Sequence, residues 1–93
     1  MKDKVLLEVL LPATGDVYEF RVPFDLTVEM AARLMARVLA SREPARYEAS
    51  DEVDLMLRAG VGAHEGEELN PNETIRALVN QGVLVDGTPV ALA

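Results

Sequence analysis

His64 is the one histidine in the chain and stands among Glu65, Glu67 and Glu68. A metal ion could take one imidazole and several carboxylates, but a single imidazole in a glycine-rich stretch is a sparse donor set. The plain reading is an exposed loop histidine, and the sharper one is a metal-binding regulator centred on His64. Ser41, Ser50 and the four threonines have no second histidine to activate them, and cysteine is absent. Nucleophilic acyl transfer therefore lacks its base. Gly60-Val61-Gly62 is followed by no Lys, Ser or Thr, so it does not read as a phosphate-cradling loop. Sixteen Asp and Glu make carboxylate pairs unavoidable, and no spacing singles out an acid and a base. We expect no catalytic residues, no metal and no cofactor, and hence no enzyme.

The charge is unevenly spread. Residues 43–73 hold nine acids and two bases, while the other 62 residues carry seven of each, so the whole net charge of −7 sits in the middle of the chain. Nucleic acid is excluded as a ligand, because phosphate binding needs a positive surface. The acidic stretch reads as a solvated face; docking of a basic partner is the alternative. Without cysteine there is no disulfide framework or thiolate site. No apolar run approaches the ~18 residues of a membrane span, and no signal-like segment follows Met1, so no membrane insertion and a cytoplasmic location are expected.

At 93 residues the chain is expected to form one domain over 1–93. Lys4–Leu11 alternates, with Val5, Leu7, Val9 and Leu11 on one face and Lys4, Leu6, Glu8 and Leu10 on the other. Pro12–Asp16 is a turn, and Val17–Val22 alternates again, which together predict a β-hairpin. Pro23 ends the second strand. Thr27 is placed as an N-cap with Glu29 in the first turn, and apolar residues at helical spacing predict a helix over Val28–Ser41, stopped by Pro44. Met30 and Met35 read as core filler. Val53–Arg58 predicts a third strand with Met56 outward, and Glu67–Leu69 a short one. Asn70-Pro71-Asn72-Glu73 reads as a helix start with Asn70 as N-cap and Glu73 closing a capping box. For Val83–Ala93 the Asp86-Gly87 pair allows a small hairpin. The favoured alternative has Val83 plugging the core and only Thr88–Leu92 as a strand, with Pro89 near its start. The expected core is Val5, Leu7, Val9, Phe20, Val22, Leu26, Val28, Met35, Val38, Leu55, Leu57, Leu69, Ile75, Leu78, Val90 and Leu92.

The order strand, turn, strand, helix, strand, short strand, helical turn, strand resembles the β-grasp fold. The hairpin leading through Asp25-Leu26-Thr27-Val28 into a long helix resembles ubiquitin. So do Gly66-Glu67-Glu68-Leu69 with Thr74-Ile75 and Leu78, followed by Gly87-Thr88 and an apolar last strand. Within that superfamily the chain looks most like the small bacterial ubiquitin-like proteins called YukD or EsaB, which accompany type VII (WXG-protein) secretion. The resemblance implies an α+β fold, with a mixed four- to five-stranded sheet packed on one long helix plus a short second helix. It implies a non-catalytic module that binds proteins, with secretion machinery as partner. Ubiquitin and the sulfur carriers end in Gly-Gly, whereas this sequence ends Val90-Ala91-Leu92-Ala93. That difference argues against the alternative role, a carrier or modifier acting with an activating enzyme.

One helix covers one face of the sheet, so the other face must meet water or a partner. Leu6, Leu10 and Met56 fall on that face by alternation, with Arg58 as a cationic rim. These four are the expected protein-binding residues. A partner protein is the expected occupant, and a second copy of the chain, giving a homodimer, is a further candidate; scattered exposed apolar side chains are the bland alternative.

Overall fold

The computed structural model describes residues 3–45, 47–49, 52–58 and 67–93. The elements run β1 (Lys4–Leu11), β2 (Asp16–Pro23), α1 (Val28–Arg42), β3 (Leu55–Leu57), α2 (Ile75–Asn80) and β4 (Thr88–Leu92). His64 and the Ala59–Gly66 loop lie outside the described residues.

Alternation decides the hairpin. Val5, Leu7, Val9 and Leu11 are all buried, while Lys4 and Glu8 between them reach solvent. β1 and β2 pair antiparallel from Lys4↔Pro23 to Leu11↔Asp16, and the amides of Thr14 and Gly15 close the turn on the Leu11 carbonyl. Gly15 has φ +77°, a left-handed conformation in which a Cβ is costly.

The α1 helix starts where Thr27 Oγ1 accepts from Met30 N at 3.2 Å, and Glu29 pairs with Arg33 one turn on at 2.7 Å. Val28, Ala31, Ala32, Met35, Ala36 and Leu39 form its buried stripe, and the alanines let the backbone approach the sheet closely. That stripe corrects two expectations. Val38 lies on the margin at 38% exposure, and Met30 points to solvent at 52%. Both follow from the helix rotation set by Ala32 and Ala36. Phe20 and Leu26 are partly buried against the core rather than enclosed in it.

β4 enters the middle of the sheet. The strand order is β2-β1-β4-β3, with β4 parallel to β1 and antiparallel to β3. Pro89, the second residue of β4, fits because its missing donor falls at the end of the β3 ladder. Arg58 N donates to Pro89 O at 3.1 Å, and proline has no N–H to return the bond. The third strand is accordingly confined to Leu55–Leu57, shorter than the Val53–Arg58 run. The short strand at Glu67–Leu69 reduces to one bridge, Met56↔Glu68, flanked by bonds between Leu57 and Glu67 and between Leu69 and Leu55.

The second helix starts one turn later than its capping-box pattern suggests. Asn70 Oδ1 accepts from Asn72 N at 2.9 Å, and Asn70 O from Glu73 N at 3.1 Å, so residues 70–73 form a turn. Thr74 is the N-cap, its Oγ1 accepting from Ala77 N at 3.1 Å. The tertiary bonds explain the delay. Pro71 O and Glu73 O accept from Glu29 N and Val28 N, and Ile75 N and Arg76 N donate to Leu26 O and Phe24 O. Carbonyls and amides that a helix over 71–76 would use internally instead tie this segment to the entrance of α1. Past the helix, Leu84, fully buried, plugs the core, while Val83 is only partly covered. Thr88 Oγ1 both accepts from Val85 N and donates to Val85 O, closing the turn through Asp86-Gly87. That pair turns the chain into β4, with no strand before it.

Candidate functional site

Registers place the open face of the sheet row by row. One row crosses all four strands as Val17, Leu10, Ala91 and Met56, because Leu10 lies opposite both Val17 and Ala91, and Ala91 opposite Met56. At ~4.8 Å per strand this apolar row is about 14 Å long. The next row is Glu19, Glu8, Pro89 and Arg58. Arg58 Nη2 reaches across Pro89 to Glu8 Oε1 at 3.4 Å and to Glu8 O at 3.3 Å. Leu6 lies beyond that polar row, opposite Arg21, with its amide held by Asp86 Oδ1 at 2.9 Å. A shallow hollow around it is lined by Asp3, Lys4, Arg21 and Asp86.

The four expected residues thus share one face, but not one patch. Leu10 and Met56 stand in the same row, Leu6 is separated from them, and Arg58 divides the two rather than rimming them. All four are half-buried. Sequence reasoning missed Val17, which is 46% exposed and completes the row at the free edge. The signal was the hairpin register: pairing Leu11 with Asp16 sets Val17 beside Leu10.

Two further features bear on chemistry. The Asp54 carboxylate beside Glu68 pushes Glu68 above the usual carboxylate value, and a hydrogen bond to Asp54 and partial burial act the same way. Tyr18 Oη donates to Glu43 Oε1 at 3.2 Å, and its phenol is raised by burial first and by that carboxylate second. Among the described residues no group of three or more His, Asp and Glu is placed to hold a metal ion. Nor, among the described residues, is any helix long and apolar enough to cross a membrane.

No protein-family profile and no curated protein matches the sequence. Solved structures do match the fold. A chain of the MycP5-free ESX-5 inner membrane complex superposes with a TM-score of 0.73 at 16% identity, over 99% of this chain and 21% of that one. This chain therefore spans about a fifth of that protein's length. The ubiquitin-like domain of the Mycobacterium tuberculosis type VII secretion system protein ECCD1 matches over 100% of this chain and 99% of that one, with a TM-score of 0.65 at 11% identity. An N-terminal ubiquitin-like domain solved in solution matches with a TM-score of 0.58 at 17% identity, over 100% of this chain and 76% of that one.

Proposed function

We propose that this chain is a non-catalytic, ubiquitin-like protein-interaction module that serves a type VII secretion assembly from the cytoplasmic side, in the manner of YukD and EsaB. The carrying observation is the apolar row Val17–Leu10–Ala91–Met56, which crosses the face of the sheet opposite the buried α1 stripe. As a cross-strand pair Val17 and Leu10 add a little to the hairpin, and to a partner the row offers a flat apolar strip with a charged pair beside it. The ubiquitin-like domains of ECCD1 and of the ESX-5 complex chain support the choice of assembly. Leu10 and Met56 form the contact in this reading, Arg58 and Glu8 set its polarity, and Leu6 contributes at a second point.

The test is Leu10→Glu. The variant is expected to keep its cooperative melt while losing its partner in cross-linking and pull-down from the native host. A variant that folds and still captures the same partner places recognition elsewhere. Intact mass after incubation with ATP and an activating enzyme examines the carrier alternative, and a covalent adduct there overturns the non-catalytic module.

A further inference from the structure

The side of α1 that points away from the sheet is apolar where a helix facing only water is polar. Met30, Leu34 and Val38 recur every fourth residue at 52%, 50% and 38% exposure, a ridge about 12 Å long at ~1.5 Å per residue. On one flank of the ridge Leu34 and Val38 lean toward Phe20 and Val22 of β2. On the other flank Leu26, Met30 and Leu34 join Arg33 and Arg37 around an open hollow of about 320 Å³. Leu34 is the one residue common to both flanks.

The charge of this hollow is opposite to that of the molecule. On α1 Arg33, Arg37 and Arg42 stand against Glu29 alone, in a chain of net charge −7. Arg33 pairs with Glu29 at 2.7 Å, whereas Arg37 forms no ion pair among the described residues. The hollow thus sets apolar surface beside a cation with no carboxylate of its own.

We infer that this outer face of α1 docks an acidic amphipathic helix of a partner protein, with its apolar stripe across Met30 and Leu34 and its carboxylates on Arg33 and Arg37. Each observation fixes one property of the occupant. No strand residue lines the hollow, so an extended segment would leave its N–H and C=O groups without partners there, whereas a helix satisfies its own. A ridge with a four-residue period fits the groove between matching ridges of a second helix. The arginines favour acidic flanks, and they oppose a second copy, whose α1 would set arginine against arginine. A chain of net charge −7 is also repelled by an anionic bilayer, which leaves protein as the source of the carboxylates. This surface lies on the far side of the sheet from the Leu10 row, so either can fail without the other.

The probe is a helical peptide of four turns with leucine at every fourth position of one face, glutamates flanking that face and alanine elsewhere. One control carries lysines in place of the glutamates, and a second has the same composition with the leucines scattered around the helix. Titrated into the methyl-labelled full chain, the acidic peptide is expected to shift the methyl signals of Met30 and Leu34. It should bind at least about tenfold more tightly than either control at low salt. Met30→Asp, at an exposed position, should weaken binding by about tenfold or more with the spectrum of the fold intact. Arg37→Glu should reverse the charge preference, so that the lysine peptide becomes the tighter ligand. The inference is overturned by any of four results: no shift of these methyls at millimolar acidic peptide, shifts centred on Val22 or on Leu10 and Met56 instead, a charge preference unchanged by Arg37→Glu, or co-sedimentation with phosphatidylglycerol vesicles that Arg37→Glu abolishes, which would mark a lipid surface.

Discussion

Thr27 and Thr74, the N-caps of the two helices, form an antiparallel bridge with each other. Each helix entrance thereby satisfies amides of the other: Val28 N donates to Glu73 O, and Ile75 N to Leu26 O, both at 2.8 Å. First-turn amides have no partner inside their own helix, so helix starts are usually finished by side chains or water. Here two starts 47 residues apart finish one another, and Arg76 adds an ion pair to Asp25 at 2.6 Å and a contact over the Phe24 ring.

Removing either cap should therefore act locally, because the bridge itself is backbone. Thr27→Ala and Thr74→Ala are each expected to cost about 0.5–2 kcal/mol in urea unfolding, and the serine variants much less. Asn70→Ala, at the position the capping-box pattern favours, should cost less than Thr74→Ala. The reverse order would return the helix start to Asn70.

The core gives a sharper contrast between two consecutive residues. Leu84→Ala should cost about 2–5 kcal/mol, since that side chain is fully enclosed. Val85→Ala should be close to neutral at 57% exposure. Leu7→Ala and Leu57→Ala belong with Leu84, and for so small a fold each approaches the total stability. A Leu84→Ala melt unchanged from the parent would contradict the plug.

Arg58→Ala should leave stability within about 1 kcal/mol, because a partly exposed ion pair contributes little and only part of the stem is packed. Its effect should fall on binding at the open face, where the divider between Leu6 and the Leu10 row is removed. Affinity and melting temperature measured on one preparation separate the two.

Glu68 gives a pH signature with a definite sign. Its folded value is raised above 4.5 by Asp54, so the folded state holds the proton more tightly than the unfolded chain. This contribution to stability is fully present below 4.5 and is lost as pH rises through the folded value. Asp54→Asn should bring the Glu68 carboxyl titration, followed by NMR, down toward 4.5 and flatten the fall in melting temperature just above that pH.

Legibility followed periodicity. β1, β2 and α1 were readable because alternation over eight residues and a buried stripe over four turns leave one solution. Val38 and Met30 were misplaced because apolar content does not reveal helix rotation; the close-packing alanines set it. Thr74 displaced Asn70 because the deciding bonds come from residues 24–29, which no local pattern contains. The site divided the same way. Alternation put Leu6, Leu10, Met56 and Arg58 on one face, but only register shows that Val17 joins Leu10 and that Arg58 reaches Glu8.

The central position of β4 also sets a timetable for synthesis. Leu6 N bonds to the Asp86 carboxylate 80 residues later, and β1 finds its second neighbour only when β4 arrives. At a translation rate of ~5–20 residues per second, the apolar inner face of the first hairpin, finished at Pro23, waits about 3–14 s for the strand that completes the sheet at Leu92. Pairings so distant in sequence also slow the search after release. A nascent chain of this design therefore spends seconds as an unfinished hairpin and helix, the interval in which a holding factor would bind it.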